Sequence, residues 1–82
     1  MKLELYYFES CPFCQKVLLY LEDKKHDIIF LDTKVHKEYR ENLLKMNKNT
    51  QVPCLVIDGE PILESDEIIL FLEQNKSKWT KE

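Results

Sequence analysis

Cys11 and Cys14 stand three residues apart around Pro12 and Phe13, directly after Ser10, and thiols at that spacing can exchange disulfides. They lie between a strand-like run, Leu3 to Tyr7, and a helix-like run, Val17 to Leu21. Proline suits the first position of a helix, where its missing N–H would be unpaired anyway and its φ is already near helical. Pro12 is therefore expected at N1 and Cys11 at the N-cap. An N-cap side chain lies near the unpaired N–H groups of the first turn, where the helix dipole also favours negative charge. Free thiols titrate near pH 8.5, whereas thiols at helix N-termini and in Cys-x-x-Cys sites titrate at roughly 3.5–7.5. The helix start thus favours the thiolate of Cys11. Cys14 falls on the same face one turn in, within reach of a disulfide with Cys11. One sulfur can attack and the other resolve.

The bland readings of the pair are half-buried thiols or half of a zinc site. A tetrahedral site needs two more ligands, and His26 and His36 are spaced nothing like those of a Cys2His2 finger. No metal is expected. Three cysteines in 82 residues, an odd number, do not make a disulfide framework. A Cys11–Cys14 bridge would also close too short a loop to constrain the unfolded chain strongly. Cys54 reads as a small apolar residue at a strand start.

Length allows one small domain, residues 1–82, with a single core. The net charge of −3 comes with interspersed Lys and Glu and no basic stripe, which argues against nucleic acid. No apolar run approaches a signal core or a membrane span, so the expectation is a soluble, cytoplasmic monomer without membrane contact.

The elements that must position the cysteines follow from periodicity. Lys2 to Tyr7 alternates, with Leu3, Leu5 and Tyr7 on one face, as β1. From Pro12 to about Lys25, Phe13, Val17, Tyr20 and Leu21 follow a helical stripe widened by Leu18, as α1. Ile28 to Leu31 is a short apolar run of the kind expected of a buried parallel strand, β2. Val35 to Met46, with Tyr39, Leu43 and Met46 on one face, reads as α2. Val52-Pro53 forces extended backbone before Cys54 to Ile57, β3. Asp58-Gly59, holding the only glycine, predicts a type I′ hairpin turn into β4, Pro61 to Leu63. Pro61 marks β4 as an edge strand. Ser65 is the expected N-cap of α3, which has Asp66 and Glu67 in its first turn and ends near Asn75. The fold class is α/β: β-α-β-α-β-β-α, a four-stranded mixed sheet flanked by three helices. The tail to Glu82 is mostly polar, and the sequence leaves the packing of Trp79 open.

Cys11-Pro12-Phe13-Cys14 after β1, Val52-Pro53 before β3 and the acidic helix start Glu64-Ser65-Asp66-Glu67 together resemble a glutaredoxin of the thioredoxin superfamily. The match covers nearly the whole chain. The resemblance implies a thioredoxin-like fold with a cis peptide before Pro53, facing the cysteines. It implies that the Val52 backbone pairs with the cysteinyl part of glutathione and that Ser65 and Asp66 hold its γ-glutamyl end. Arg40 and Gln51 match positions that approach the glycine carboxylate, and Phe13 takes the place usually held by Tyr. Two features depart from the family. Phe8-Glu9-Ser10 replaces the Lys common shortly before the first cysteine, and Leu63-Glu64 replaces Gly-Gly before the last helix. Glu64-Ser65 is more similar to the N-terminal domain of glutathione transferases.

The implied activity is glutathione-dependent thiol–disulfide exchange through Cys11 as nucleophile and Cys14 as resolving thiol. Its partners would be glutathione and proteins that carry glutathione mixed disulfides or disulfides. One alternative keeps the fold but takes electrons from a flavin-dependent reductase. Another is a module that holds an iron–sulfur cluster between Cys11 and glutathione of two chains, against which Pro12 argues. Transferase activity toward electrophiles is more remote, because the helical second domain of a transferase is absent.

Overall fold

In the computed structural model, residues 1–81 are described, and Glu82 at the end of the predicted polar tail lies outside them. The elements are β1 (Leu3–Tyr7), α1 (Pro12–Leu21), β2 (Ile29–Asp32), α2 (Lys37–Asn47), β3 (Cys54–Ile57), β4 (Glu60–Leu63), α3 (Ser65–Gln74) and α4 (Lys76–Trp79). The sheet runs β2-β1-β3-β4, with β1 and β2 parallel and the other two pairings antiparallel. Among the described residues, no helix is long and apolar enough to cross a membrane.

Alternation along the strands gives the sheet two apolar faces. Leu3, Leu5 and Leu55 meet Val17 and Leu21 of α1 and Ile68 and Leu72 of α3 on one face. Tyr6, Leu31, Cys54 and Val56 of the strands meet Leu43 of α2 on the other. Each fully buried leucine among them contributes about 1.5–3 kcal/mol by leaving water. Cys54 is fully buried, as its reading as a small apolar residue anticipates.

Four local expectations need correction. The apolar run expected to be a buried strand is an edge strand, and Ile29 and Phe30 are exposed. A run of β-formers reports propensity, whereas burial depends on what covers the strand, and β2 has a neighbour on one side only. Ser65 is the first residue of α3 rather than its cap; the cap is Glu64, with φ 74° and no capping side-chain bond. α1 stops at Leu21, short of Lys25. Finally, a fourth helix closes the chain where a polar tail was expected.

That last turn is anchored by Trp79, which is buried. Its Nε1 donates to the Leu72 carbonyl at 2.7 Å, and its ring lies against Tyr20 and His26. The Lys81 N–H donates to the Lys25 carbonyl at 2.7 Å, and a His26–Thr80 bridge completes the closure.

With one glycine in the chain, other residues take left-handed turns. Lys48 (φ 64°) ends α2, and Asp58 (φ 48°) precedes Gly59 (φ 91°) in the β3–β4 hairpin. Positive φ at both central residues is the predicted type I′ geometry. Asp58 Oδ1 also accepts from the Lys2 N–H at 2.8 Å, which ties the turn to the start of β1.

Candidate active site

Cys11 is the N-cap of α1, with extended backbone (φ −82°, ψ 118°) and Pro12 next in the first turn. Its Sγ accepts from the Cys14 N–H at 3.4 Å, and its carbonyl accepts from the Gln15 N–H at 3.0 Å. The sulfur thus occupies the place of a capping oxygen, where negative charge is stabilised. The Cys11 N–H donates to the Phe8 carbonyl at 3.2 Å and fixes the approach from β1.

Strand register brings the remaining pieces to this point. Tyr6 pairs with Cys54, so the residue before Cys54 lies beside the end of β1, where the chain enters the cysteine loop. That residue is Pro53, buried and joined to Val52 by a cis peptide. Cys54 also pairs with Leu63, which sets Glu64 and Ser65 beside Pro53 from the other side. The result is a groove of about 260 Å³ lined by Phe13, Gln51, Val52, Pro53, Glu64 and Ser65. Phe13, expected on the buried stripe of α1, is 61% exposed and forms one wall, and Cys14 is buried in its stead.

Five of the residues singled out in the sequence therefore line one groove beside the cysteine pair. The other two stand apart. Asp66 lies at the rim, exposed, with Oδ1 2.7 Å from Lys16 Nζ of α1. Arg40 lies on the exposed side of α2 and does not line the groove. Two groove features were not legible beforehand. Glu64 reaches across to accept from Gln51 Nε2 at 3.0 Å, and Lys16 holds Asp66. Neither contact has a local sequence signal, because the partners are 13 and 50 residues apart. At the floor, the α3 N–H groups of Ser65, Asp66 and Glu67 precede its first internal bond, from the Ile68 N–H to the Glu64 carbonyl, and an anion would be stabilised there.

The two thiols differ in environment. Both are free, as is Cys54. Burial, with smaller contributions from the neighbouring Cys11 and Asp32, pushes the Cys14 thiol up to about 12, against a lowering hydrogen bond from the Phe8 backbone. Cys14 is thus held protonated while Cys11 is free. Forming a mixed disulfide at Cys11 removes one of the groups that hold it so. The same burial has a consequence for stability. A thiol raised in the folded state favours folding below its unfolded value near 9, and that contribution is lost as pH rises toward about 12. Urea midpoints should therefore fall with pH above 9 more steeply in the parent chain than in Cys14→Ser. The difference should approach one proton, about 1.4 kcal/mol per pH unit; equal slopes would contradict it.

Among the described residues, no group of three or more His, Cys, Asp or Glu side chains is placed to hold a metal ion. A Cys-x-x-Cys at a helix N-terminus, facing a cis-proline at the start of an antiparallel strand, defines the class of thioredoxin-fold proteins. The comparisons narrow this. The family model for the glutathione S-transferase N-terminal domain matches residues 5–79. An uncharacterised glutaredoxin-like 8.6 kDa protein of Clostridium pasteurianum is 30% identical over 61 residues, 74% of this chain and 81% of that one. The chloroplastic glutathione S-transferase DHAR3 of Arabidopsis thaliana is 36% identical over 67 residues, 79% of this chain but 25% of that protein. Among solved structures, the thioredoxin-like protein BC3987 superposes with a TM-score of 0.73 at 30% identity, covering 89% of this chain and 97% of its own. This chain belongs to the thioredoxin superfamily, as a glutaredoxin-like protein of the glutathione S-transferase N-terminal-domain family. Its relatives indicate a redox or glutathione-related function.

Proposed function

We propose that the chain is a glutathione-dependent thiol–disulfide oxidoreductase. The observation that carries this reading is the pairing of an N-capping Cys11 with a fully buried, protonated Cys14 beside a groove of about 260 Å³ lined by Val52, Pro53 and Ser65. The Cys11 thiolate attacks the glutathione sulfur of a mixed disulfide, the protein thiolate leaves, and Cys11 carries the glutathione. A second glutathione thiolate attacks that glutathione sulfur, which releases oxidised glutathione and restores Cys11. With a protein disulfide, Cys11 first bonds one substrate sulfur. Cys14 then gives up its proton and attacks Cys11 Sγ, the substrate thiol departs, and two glutathiones reduce the Cys11–Cys14 bridge.

The groove and its rim suit the parts of the tripeptide in turn. The Val52 backbone suits the cysteinyl unit, the α3 N-terminus at Ser65 suits the γ-glutamyl carboxylate, and Asp66 suits its ammonium. Gln51 is within the groove for the glycine end; Arg40 would have to reach in from outside it. Because Asp66 is paired with Lys16, the ammonium must compete with that lysine. Asp66→Asn is therefore expected to raise KM for a glutathione mixed disulfide by roughly two- to fivefold, the range for an exposed charge pair, with kcat little changed. An unchanged KM would remove Asp66 from the site.

A second reading has support of its own. The match to a thioredoxin-like protein over 89% of this chain, with the Phe8-Glu9-Ser10 and Leu63-Glu64 replacements, suits a different electron donor. Reduction of a small glutathione mixed disulfide, coupled to NADPH through glutathione reductase, discriminates the two. Turnover supports the glutathione-dependent reading. Its absence, with turnover of a protein disulfide driven by a flavin-dependent thioredoxin reductase, would replace it.

A further inference from the structure

The segment before the cysteine pair carries no cation of its own, since Phe8, Glu9 and Ser10 lead directly into Cys11. The fold brings one from elsewhere. β1 and β2 run parallel and end together, Tyr7 opposite Asp32. The chains that leave them are clasped, because the Thr33 N–H donates to the Tyr7 carbonyl at 2.9 Å and Thr33 Oγ1 reaches the same oxygen. The Asp32 carboxylate accepts from the N–H groups of Lys34 and Val35, at 2.9 and 3.1 Å, which turns the loop toward the cysteine segment. Lys34 Nζ then lies 4.2 Å from the centre of the Phe8 ring and 3.2 Å from Ser10 Oγ, on the residue adjoining Cys11. Among the described residues Lys34 makes no ion pair, so its charge is not cancelled by a contact.

We propose that Lys34 is the electrostatic residue of this site, a cation supplied from the β2–α2 loop that draws anionic thiol reagents to Cys11. Phe8 and Ser10 hold the ammonium over the loop by a cation–π contact and a hydrogen bond. A tripeptide thiol with two carboxylates and one ammonium is the substrate class this charge favours, so the assignment deepens the glutathione-dependent reading and rests on it for its biological meaning. The charge effect itself can be measured without turnover.

The test compares alkylation of Cys11 by anionic iodoacetate and by neutral iodoacetamide at pH 7, with the modified cysteine mapped by mass spectrometry. The parent chain, Lys34→Gln and Lys34→Arg are run at low salt and at 1 M salt. Lys34→Gln should lower the iodoacetate rate by roughly two- to fivefold, the range for an exposed charge, and lower the iodoacetamide rate less. Lys34→Arg should restore both, and 1 M salt should shrink the difference. An unchanged ratio of the two rates in Lys34→Gln, or equal losses for both reagents that Arg does not restore, would overturn the proposal. If the charge effect holds but no glutathione-coupled turnover is found, the electrostatic assignment stands and the glutathione reading fails.

Discussion

Cys11→Ser is expected to lower reduction of a glutathione mixed disulfide by at least roughly a hundredfold, as loss of an enzymatic nucleophile does. The folded chain should persist, because serine can still accept the Cys14 N–H at the head of α1. The hydroxyl keeps the cap, but it cannot form the mixed disulfide on which each half-reaction depends. Cys14→Ser should behave differently, retaining the monothiol reaction with glutathione mixed disulfides and losing the dithiol reduction of protein disulfides. The contrast follows from burial: Cys14, inaccessible, can be reached only by a sulfur already bonded at Cys11. Side-by-side rates in the glutathione reductase-coupled assay check both outcomes. Full activity in Cys11→Ser would dismiss the mechanism, and equal loss in both variants would mean that every route passes through the Cys11–Cys14 disulfide.

Trp79→Ala is expected to cost about 3–5 kcal/mol, as emptying a buried large aromatic site does. In a domain whose whole stability is about 5–15 kcal/mol, this is a large share. The ring joins the core formed by Leu3, Ile28 and Leu72, and its Nε1 is paired with the Leu72 carbonyl. Trp79→Phe should cost less, retaining most of the apolar contact while leaving that carbonyl without its partner. Because Trp79 is the only tryptophan, the variants should be followed by far-UV circular dichroism in urea rather than by fluorescence. Alkylation of Cys11 in the folded fraction should be unchanged in both, since Trp79 belongs to the core and the closing turn and does not line the cysteine groove. A Trp79→Ala chain as stable as the parent would show that the last turn contributes nothing to the domain.

Much of this site can be read from the sequence because its key features are local. Pro12 beside a helical stripe is enough to put Cys11 at an N-cap, and Asp58-Gly59 between two apolar runs is enough for the hairpin. Period-two alternation in β1 and helical spacing in α3 identify the faces that meet in the core. Other features depend on partners far along the chain. The edge position of β2 follows from strand order, which no property of Ile29 or Phe30 expresses. Glu64 takes the cap position with positive φ, although Ser65 has the better capping side chain, because β4 delivers the chain to α3 at that point. Trp79 packs because α1 and α3 leave space beside Tyr20 and His26. The groove exists only because the antiparallel registers bring Pro53 and Ser65 together next to the end of β1, and the parallel register of β1 and β2 sets Lys34 beside Phe8 and Ser10. The spacing of Cys11 and Cys14 and the local elements that carry them are thus written in neighbouring residues, whereas the distant side chains that surround the pair are chosen by register and packing, which the whole sheet sets at once.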